Sequence, residues 1–147
     1  MPCVVSWRAI SINNYYQSLN YCDMTRSEEI TEQYLKFLDK HIEDVINGNV
    51  LDFMKLSQIA GRLFISHSHL SDTIQLTTGH HPCYFYDTKI IERAKAMLIN
   101  EDISIAEIAR KLTYDPSNFS KFFKKVTGQS AGEFRKENLH ILKNPKS

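Results

Sequence analysis

Slid by 49 residues, the chain matches itself without a gap. Ile59 and Ala60 fall on Ile108 and Ala109, Leu63 on Leu112, and Ser66 on Asp115. Ser68, Ser71, Thr78 and Gly79 fall on Ser117, Ser120, Thr127 and Gly128, while Leu70, Ile74 and Phe85 fall on Phe119, Phe123 and Phe134. Self-similarity at a fixed period means one supersecondary unit built twice. Each copy reads as a short helix, a tight turn, and a second helix opened by a capping residue and stopped by glycine. One copy centres on Ser57–Thr78 and the other on Ala106–Thr127.

Local signals punctuate the helices. Ser104 and Glu107 form a capping box, in which each side chain bonds the other residue's backbone N–H. Asp115 followed by Pro116 is an N-cap with proline at the first helical position, where its missing N–H costs nothing. The helix that follows carries Phe119, Phe122, Phe123 and Val126 inward, and Gly128 closes it. Between the copies, Asp87 or Thr88 is placed to cap a helix with the stripe Ile90, Ile91, Ala94, Met97 and Leu98, ending near Asn100. Upstream, Ser27 caps a helix whose Glu28 and Glu29 suit the first turn. Its apolar residues Ile30, Tyr34, Phe37/Leu38, Ile42 and Val45 recur at helical spacing, and Asn47-Gly48-Asn49 ends it. Glu32, Asp39, Glu43 and Asp44 make an acidic outer face suited to solvent. Strand signals are weak, so the expected fold is all-α: two tandem helix-turn-helix subdomains joined by a connecting helix. The expected division is an N-terminal segment of unassigned role (1–26), the first subdomain with its leading helix (27–86), the connecting helix (87–100), and the second subdomain with its tail (101–147).

A helix-turn-helix sets its second helix into the major groove of DNA; two packed helical hairpins without DNA affinity are the bland alternative. Charge bears on the choice. Residues 1–86 carry six Lys/Arg against nine Asp/Glu, and residues 87–147 carry twelve against eight. The net charge of +1 thus conceals a basic C-terminal half, which phosphate contact needs.

The stretch IAEIARKLTYDPSNFSKFFKKVTGQSAGEFRK resembles the signature of the AraC/XylS family of bacterial transcription regulators, roughly IAxxxGFxxxSxFxRxFKxxxGxSPxxYR. LSQIAGRLFISHSHLSDTIQLTTGHHPCYFY is similar to the family's first unit and KIIERAKAMLIN to its connecting helix. The resemblance covers about residues 50–136. It implies two subdomains reading successive major-groove faces of an asymmetric site. The departures are Thr113 where the family favours glycine, a turn one residue shorter than usual, Ala131 where a proline is usual, and Asp72 where the first recognition helix often carries arginine.

In the second unit, Ser117, Asn118 and Lys121 lie on or near the outward face of the second helix, and the resemblance implies that Ser117 and Lys121 face bases. The chemistry suits this, because lysine donates to guanine O6/N7 and asparagine pairs with adenine. Lys124, Lys125 and Arg135 are expected at phosphates. In the first unit Ser68, Ser71, Asp72 and Gln75 share a face by helical spacing. Residues 50–86 are formally neutral, so the second unit should supply most of the affinity.

His67, His69, His80 and His81 invite a metal reading, but no cysteine or carboxylate completes a site. No cofactor is expected. Phosphate-binding glycine loops, H-E-x-x-H and nucleophile elbows are lacking, so the chain reads as no enzyme. Cys3, Cys22 and Cys83 are odd in number and dispersed, which suits reduced thiols. No apolar run reaches ~18 residues, and the opening MPCVVSWRAISINNYY lacks a cleavage signature. Taken with the resemblance, these features imply a cytoplasmic bacterial protein, with double-stranded DNA as partner, RNA polymerase as a further candidate partner, no membrane, and a monomer on DNA. The runner-up is a helical protein-interaction module using the acidic helix.

Overall fold

A computed structural model describes residues 25–143, and all of their regular structure is helical. Residues 1–24, with Cys3 and Cys22 and nearly all of the expected N-terminal segment, lie outside the described residues. Helix α1 spans Arg26–Ile46, α2 Leu56–Arg62, α3 His67–Thr78, α4 Pro82–Asn100, α5 Ile105–Lys111, α6 Pro116–Thr127 and α7 Ala131–Lys143.

Helix α1 starts two residues earlier than a cap at Ser27 allows. Thr25 is the cap: Glu28 N–H donates to Thr25 Oγ1 at 3.3 Å, and Thr25 N–H donates to Glu28 Oε2 at 2.7 Å. Ser27 has Ile30 three residues on, which cannot return a bond.

The described chain divides into two compact units. The first holds residues 25–37 and Met54–Cys83, and the second holds Leu38–Phe53 and residues 84–143. Helix α1 contributes its residues up to Phe37 to the first unit and those from Leu38 on to the second. In the first unit Ile30, Tyr34, Leu35, Ile59, Ala60, Leu70 and Ile74 are buried. Each large aliphatic side chain so buried contributes about 1.5–3 kcal/mol. Two polar ties support this core. Thr31 Oγ1 lies 2.7 Å from Thr77 Oγ1, and Tyr34 Oη donates to the Pro82 carbonyl at 2.8 Å.

In the second unit Leu38, Ile42, Val45, Ile90, Ile91, Ala94, Met97, Leu98, Ile108, Ala109, Leu112, Phe119 and Phe123 are buried. Aromatic rings thicken one side: Phe53 meets Tyr86 edge-on at 5.9 Å, and Tyr114 stacks on Phe122 at 5.2 Å. The acidic face of α1 is only partly a solvent face. Asp39 pairs with Lys89 and Glu43 with Arg93 of α4, while Glu32 is nearly buried and pairs with Lys36 at 2.6 Å.

Helix α4 begins at Pro82, five residues before the expected cap Asp87. Proline takes the first helical position, and Cys83 N–H donates to His81 Nδ1 at 3.2 Å. Thr88 lies inside the helix, its hydroxyl donating to the Tyr84 carbonyl at 2.6 Å. Val126, expected inward, is 41% exposed.

Candidate nucleic-acid interface

The 49-residue repeat of the sequence is also a repeat of backbone hydrogen bonds. Helices α2 and α5 start and stop at equivalent positions, and so do α3 and α6. At the turn, Ile65 N–H donates to the Ala60 carbonyl at 3.1 Å and Phe64 N–H to Gly61 at 3.1 Å. Tyr114 N–H to Ala109 at 2.8 Å and Thr113 N–H to Arg110 at 2.9 Å repeat the pair. These are Schellman closures, which need a left-handed residue after the helix. Phe64 and Thr113 fill that position at φ 60° and 58°. At the far ends, Thr78 and Thr127 each donate a hydroxyl to a carbonyl one turn back, and Gly79 and Gly128 take φ 78° and 85°.

Ser66 Oγ accepts from His69 N–H at 3.1 Å, and Asp115 accepts from Ser117 N–H at 3.1 Å, so both second helices are capped as expected. The Ser104–Glu107 box is complete, with Glu107 N–H to Ser104 Oγ at 3.1 Å and Ser104 N–H to Glu107 Oε2 at 2.9 Å. Hydrogen bonds from Ser117 hold the Asp115 carboxyl below the usual range, and bonds from Ser104 do the same for Glu107.

Helix α6 is sharply two-faced. Phe119 and Phe123 are fully buried, while Ser117, Asn118, Lys121, Lys124 and Lys125 are exposed. Among the described residues none of these three lysines forms a salt bridge. Ser117 donates its hydroxyl hydrogen to Asp115, so toward a ligand it offers acceptor capacity. Asp87 of α4 lies within electrostatic reach of Lys125, and burial pushes its carboxyl above the usual range against that attraction.

Helix α3 repeats the geometry with other chemistry. Ser68, Asp72 and Gln75 are exposed. Ser71 is half-buried, and its hydroxyl is buried with no hydrogen-bond partner among the described residues. His67 and His69 sit exposed in the first turn of α3. Among the described residues no group of three His, Cys, Asp or Glu is placed to hold a metal ion.

Arg135, expected at a phosphate, is tied to the protein through one of its nitrogens. It lies in α7, partly buried, and its Nε–H donates to the Leu98 carbonyl of α4 at 2.9 Å. Beside it, Lys95 Nζ lies 5.5 Å from the centre of the Phe134 ring. Helix α7 occupies the stretch that sequence alone assigns to the tail. Ser130 and Glu133 cap it reciprocally, with N–H to side-chain distances of 3.0 and 3.1 Å, so its signal was present in the S-x-x-E spacing.

The profile of the helix-turn-helix domain family matches residues 59–137, more than half of the chain. The chain belongs to the AraC-type helix-turn-helix family. Among its relatives, the lactose operon transcription activator of Staphylococcus xylosus is 31% identical over 97 residues, covering 65% of this chain and 35% of the relative. The Msm operon regulatory protein of Streptococcus mutans is 27% identical over 115 residues, covering 78% of this chain and 40% of its own. This chain spans between 13% and 43% of the length of the curated relatives it matches. Among solved structures, the C-terminal domain of AraT, a response regulator from Geobacillus stearothermophilus, superposes with a TM-score of 0.66 at 25% identity, covering 77% of this chain and 88% of that one. The DNA-binding domain of AdpA, solved with a target DNA, shares the fold at TM-score 0.59 and 19% identity, covering 84% of this chain and 100% of that one. In AraC-type terms α3 and α6 are the two recognition helices. The matched residues take in α3 to α6 and omit α1.

Proposed function

We propose that this AraC-type DNA-binding regulator reads an asymmetric duplex site as a monomer, anchored by α6 and discriminated in part by α3. The carrying observation is the exposed face of α6, where Lys121, Lys124 and Lys125 stand unpaired among described residues opposite a fully buried Phe119 and Phe123. A helix with an apolar back and unpaired lysines in front is held by its core and free to meet phosphates and base edges. Lys121 with Asn118 and Ser117 takes the base edges, and Lys124 and Lys125, one turn further on, take phosphates.

In the first unit Ser68, Asp72 and Gln75 form the reading face. Ser71, with its hydroxyl turned into the protein, serves the packing of α3. Arg135, engaged with the end of α4, positions α7 and leaves phosphate contact to the lysines. The protein acts by binding DNA in the bacterial cytoplasm, without catalysis, and RNA polymerase is the further partner we infer. No helix among the described residues is long and apolar enough to cross a membrane. A protein-interaction role for the acidic face of α1 has less support, since Asp39 and Glu43 are already engaged by Lys89 and Arg93.

Selection of bound sequences from a random DNA pool, followed by footprinting, tests the reading. The expected site is non-palindromic and about two helical turns long, because tandem units in one chain reach major-groove faces ~34–36 Å apart. Protection of a palindrome by two chains refutes the monomer, and affinity indifferent to salt refutes DNA binding through phosphate contacts.

A further inference from the structure

Asp72 and Lys121 occupy the same position of the repeat, each the sixth residue of its recognition helix. Both are exposed, and Asp72 has no ion pair or hydrogen bond among the described residues. Their surroundings differ in the same sense. Where α6 continues with Lys124 and Lys125, α3 continues with Gln75 and Leu76, the latter 81% exposed. The exposed face of α3 thus carries one negative charge and no lysine or arginine, while that of α6 carries three lysines.

A carboxylate in the major groove can only accept hydrogen bonds. Guanine presents N7 and O6, and thymine presents O4, all acceptors, so each repels it. Cytosine presents its N4 amine, and adenine presents its N6 amine beside the acceptor N7, so cytosine is the better match. An aspartate also repels the phosphates of every sequence. That cost is uniform, whereas the amine contact is recovered on matching bases alone, so the residue gains discrimination at the expense of affinity.

We propose that Asp72 sets the base preference of the first recognition helix, selecting cytosine through its N4 amine and rejecting guanine at the repeat position where α6 accepts guanine through Lys121. This rests on the DNA-reading function proposed above, and it deepens it by giving the two helices opposite preferences at equivalent places.

The test is pool selection with the full chain and with Asp72→Asn and Asp72→Lys, followed by titration of the selected sites. Asp72 is exposed, so both variants should fold, and their thermal melts check this. The wild type should enrich cytosine at one column of the first half-site, and changing it to guanine should weaken binding about 5- to 150-fold, the range of one good base contact. Asp72→Lys should turn that column to guanine. Asp72→Asn should blur the column and strengthen binding to unrelated DNA severalfold. If wild type and Asp72→Lys select the same base there, or if the variants shift affinity equally for all sequences, Asp72 is a charge without a reading role and the inference is overturned while the DNA-reading function stands. If the wild type enriches no sequence at all, the DNA-reading function itself fails, and the inference falls with it.

Discussion

Removing one α6 lysine at a time should separate phosphate grip from base reading. Each lysine–phosphate contact releases condensed counterions, and log K then falls with log salt by about 0.9 per contact. Lys124 and Lys125 as phosphate contacts set a slope of about 1.8 from α6, which would rise to about 2.7 only with Lys121 on a phosphate as well. Between 50 and 200 mM salt, one such contact weakens binding by roughly 3.5-fold more than its absence does. Lys125→Ala should therefore lower the slope by about one and weaken selected and unrelated DNA alike. Lys121→Ala should cost about 1–3 kcal/mol on the best site and relax preference at one base pair. Fluorescence anisotropy on labelled duplexes across a salt series reads both. The nearby Asp87 bears on the size of the effect, because it already offsets part of the Lys125 charge; Asp87→Asn should steepen the slope in the opposite direction. The same slope and the same loss of preference in the two lysine variants would refute the division of roles.

Three further outcomes follow from the backbone and the caps. Phe64 is 95% exposed at φ 60°, so Phe64→Gly gives up little burial and relieves a left-handed side chain; it should raise stability by about 0.5–1 kcal/mol, or about 2–4 °C in Tm. Phe64→Ala should not, and an equal gain from alanine would trace the effect to the exposed ring instead of the backbone. Asp115, Glu107 and Glu133 have carboxyls depressed by cap hydrogen bonds, so they add stability that is present above the ordinary carboxylate range and lost as pH falls through their lowered values. The urea midpoint should drop on acidification, and less so in Asp115→Asn, which keeps a cap without the charge. Arg135→Gln should lower Tm through loss of a hydrogen bond worth about 1 kcal/mol, with an unchanged salt slope; a slope reduced by about one would return Arg135 to the phosphates.

The parts of this fold legible in the sequence are those governed by nearest neighbours along the chain. Ser66, Asp115, the Ser104–Glu107 box and the stop glycines act within one turn, so spacing alone located α2, α3, α5 and α6. The structure departs from the local signals where two of them compete. Thr25 prevails over Ser27 because Glu28 can reciprocate and Ile30 cannot. Pro82 opens α4 because proline is well suited to the first helical position, and His81 supplies the acceptor ahead of it. Val126 continues the stripe of Phe119, Phe122 and Phe123 at i+7, yet at the end of α6 it is left exposed.

Tertiary contacts decide the rest, and they decide the site as well. Nothing near Arg135 in sequence indicates that its guanidinium will meet a carbonyl 37 residues away. Likewise Ser71 shares a helical face with Ser68 and Gln75 on spacing, but the packing of the first unit turns its hydroxyl inward, whereas Ser120, its repeat partner, bonds the Pro116 carbonyl at 3.0 Å. The family's glycine shows the same division between local and non-local information. Its replacement by Thr113 is a plain departure on paper, and only the left-handed φ of 58° shows what the glycine is for. Phe64 takes the same conformation in the other copy. Two non-glycine residues in matching left-handed turns, each closed by the same pair of backbone bonds, show that the turn geometry is imposed by the packing of the two helices it joins. A glycine at Phe64 should therefore relax the backbone without altering the helix pair or DNA reading, whereas at Thr113 the same relief is offset by loss of the hydroxyl's bond to Asp52 Oδ1 at 3.1 Å.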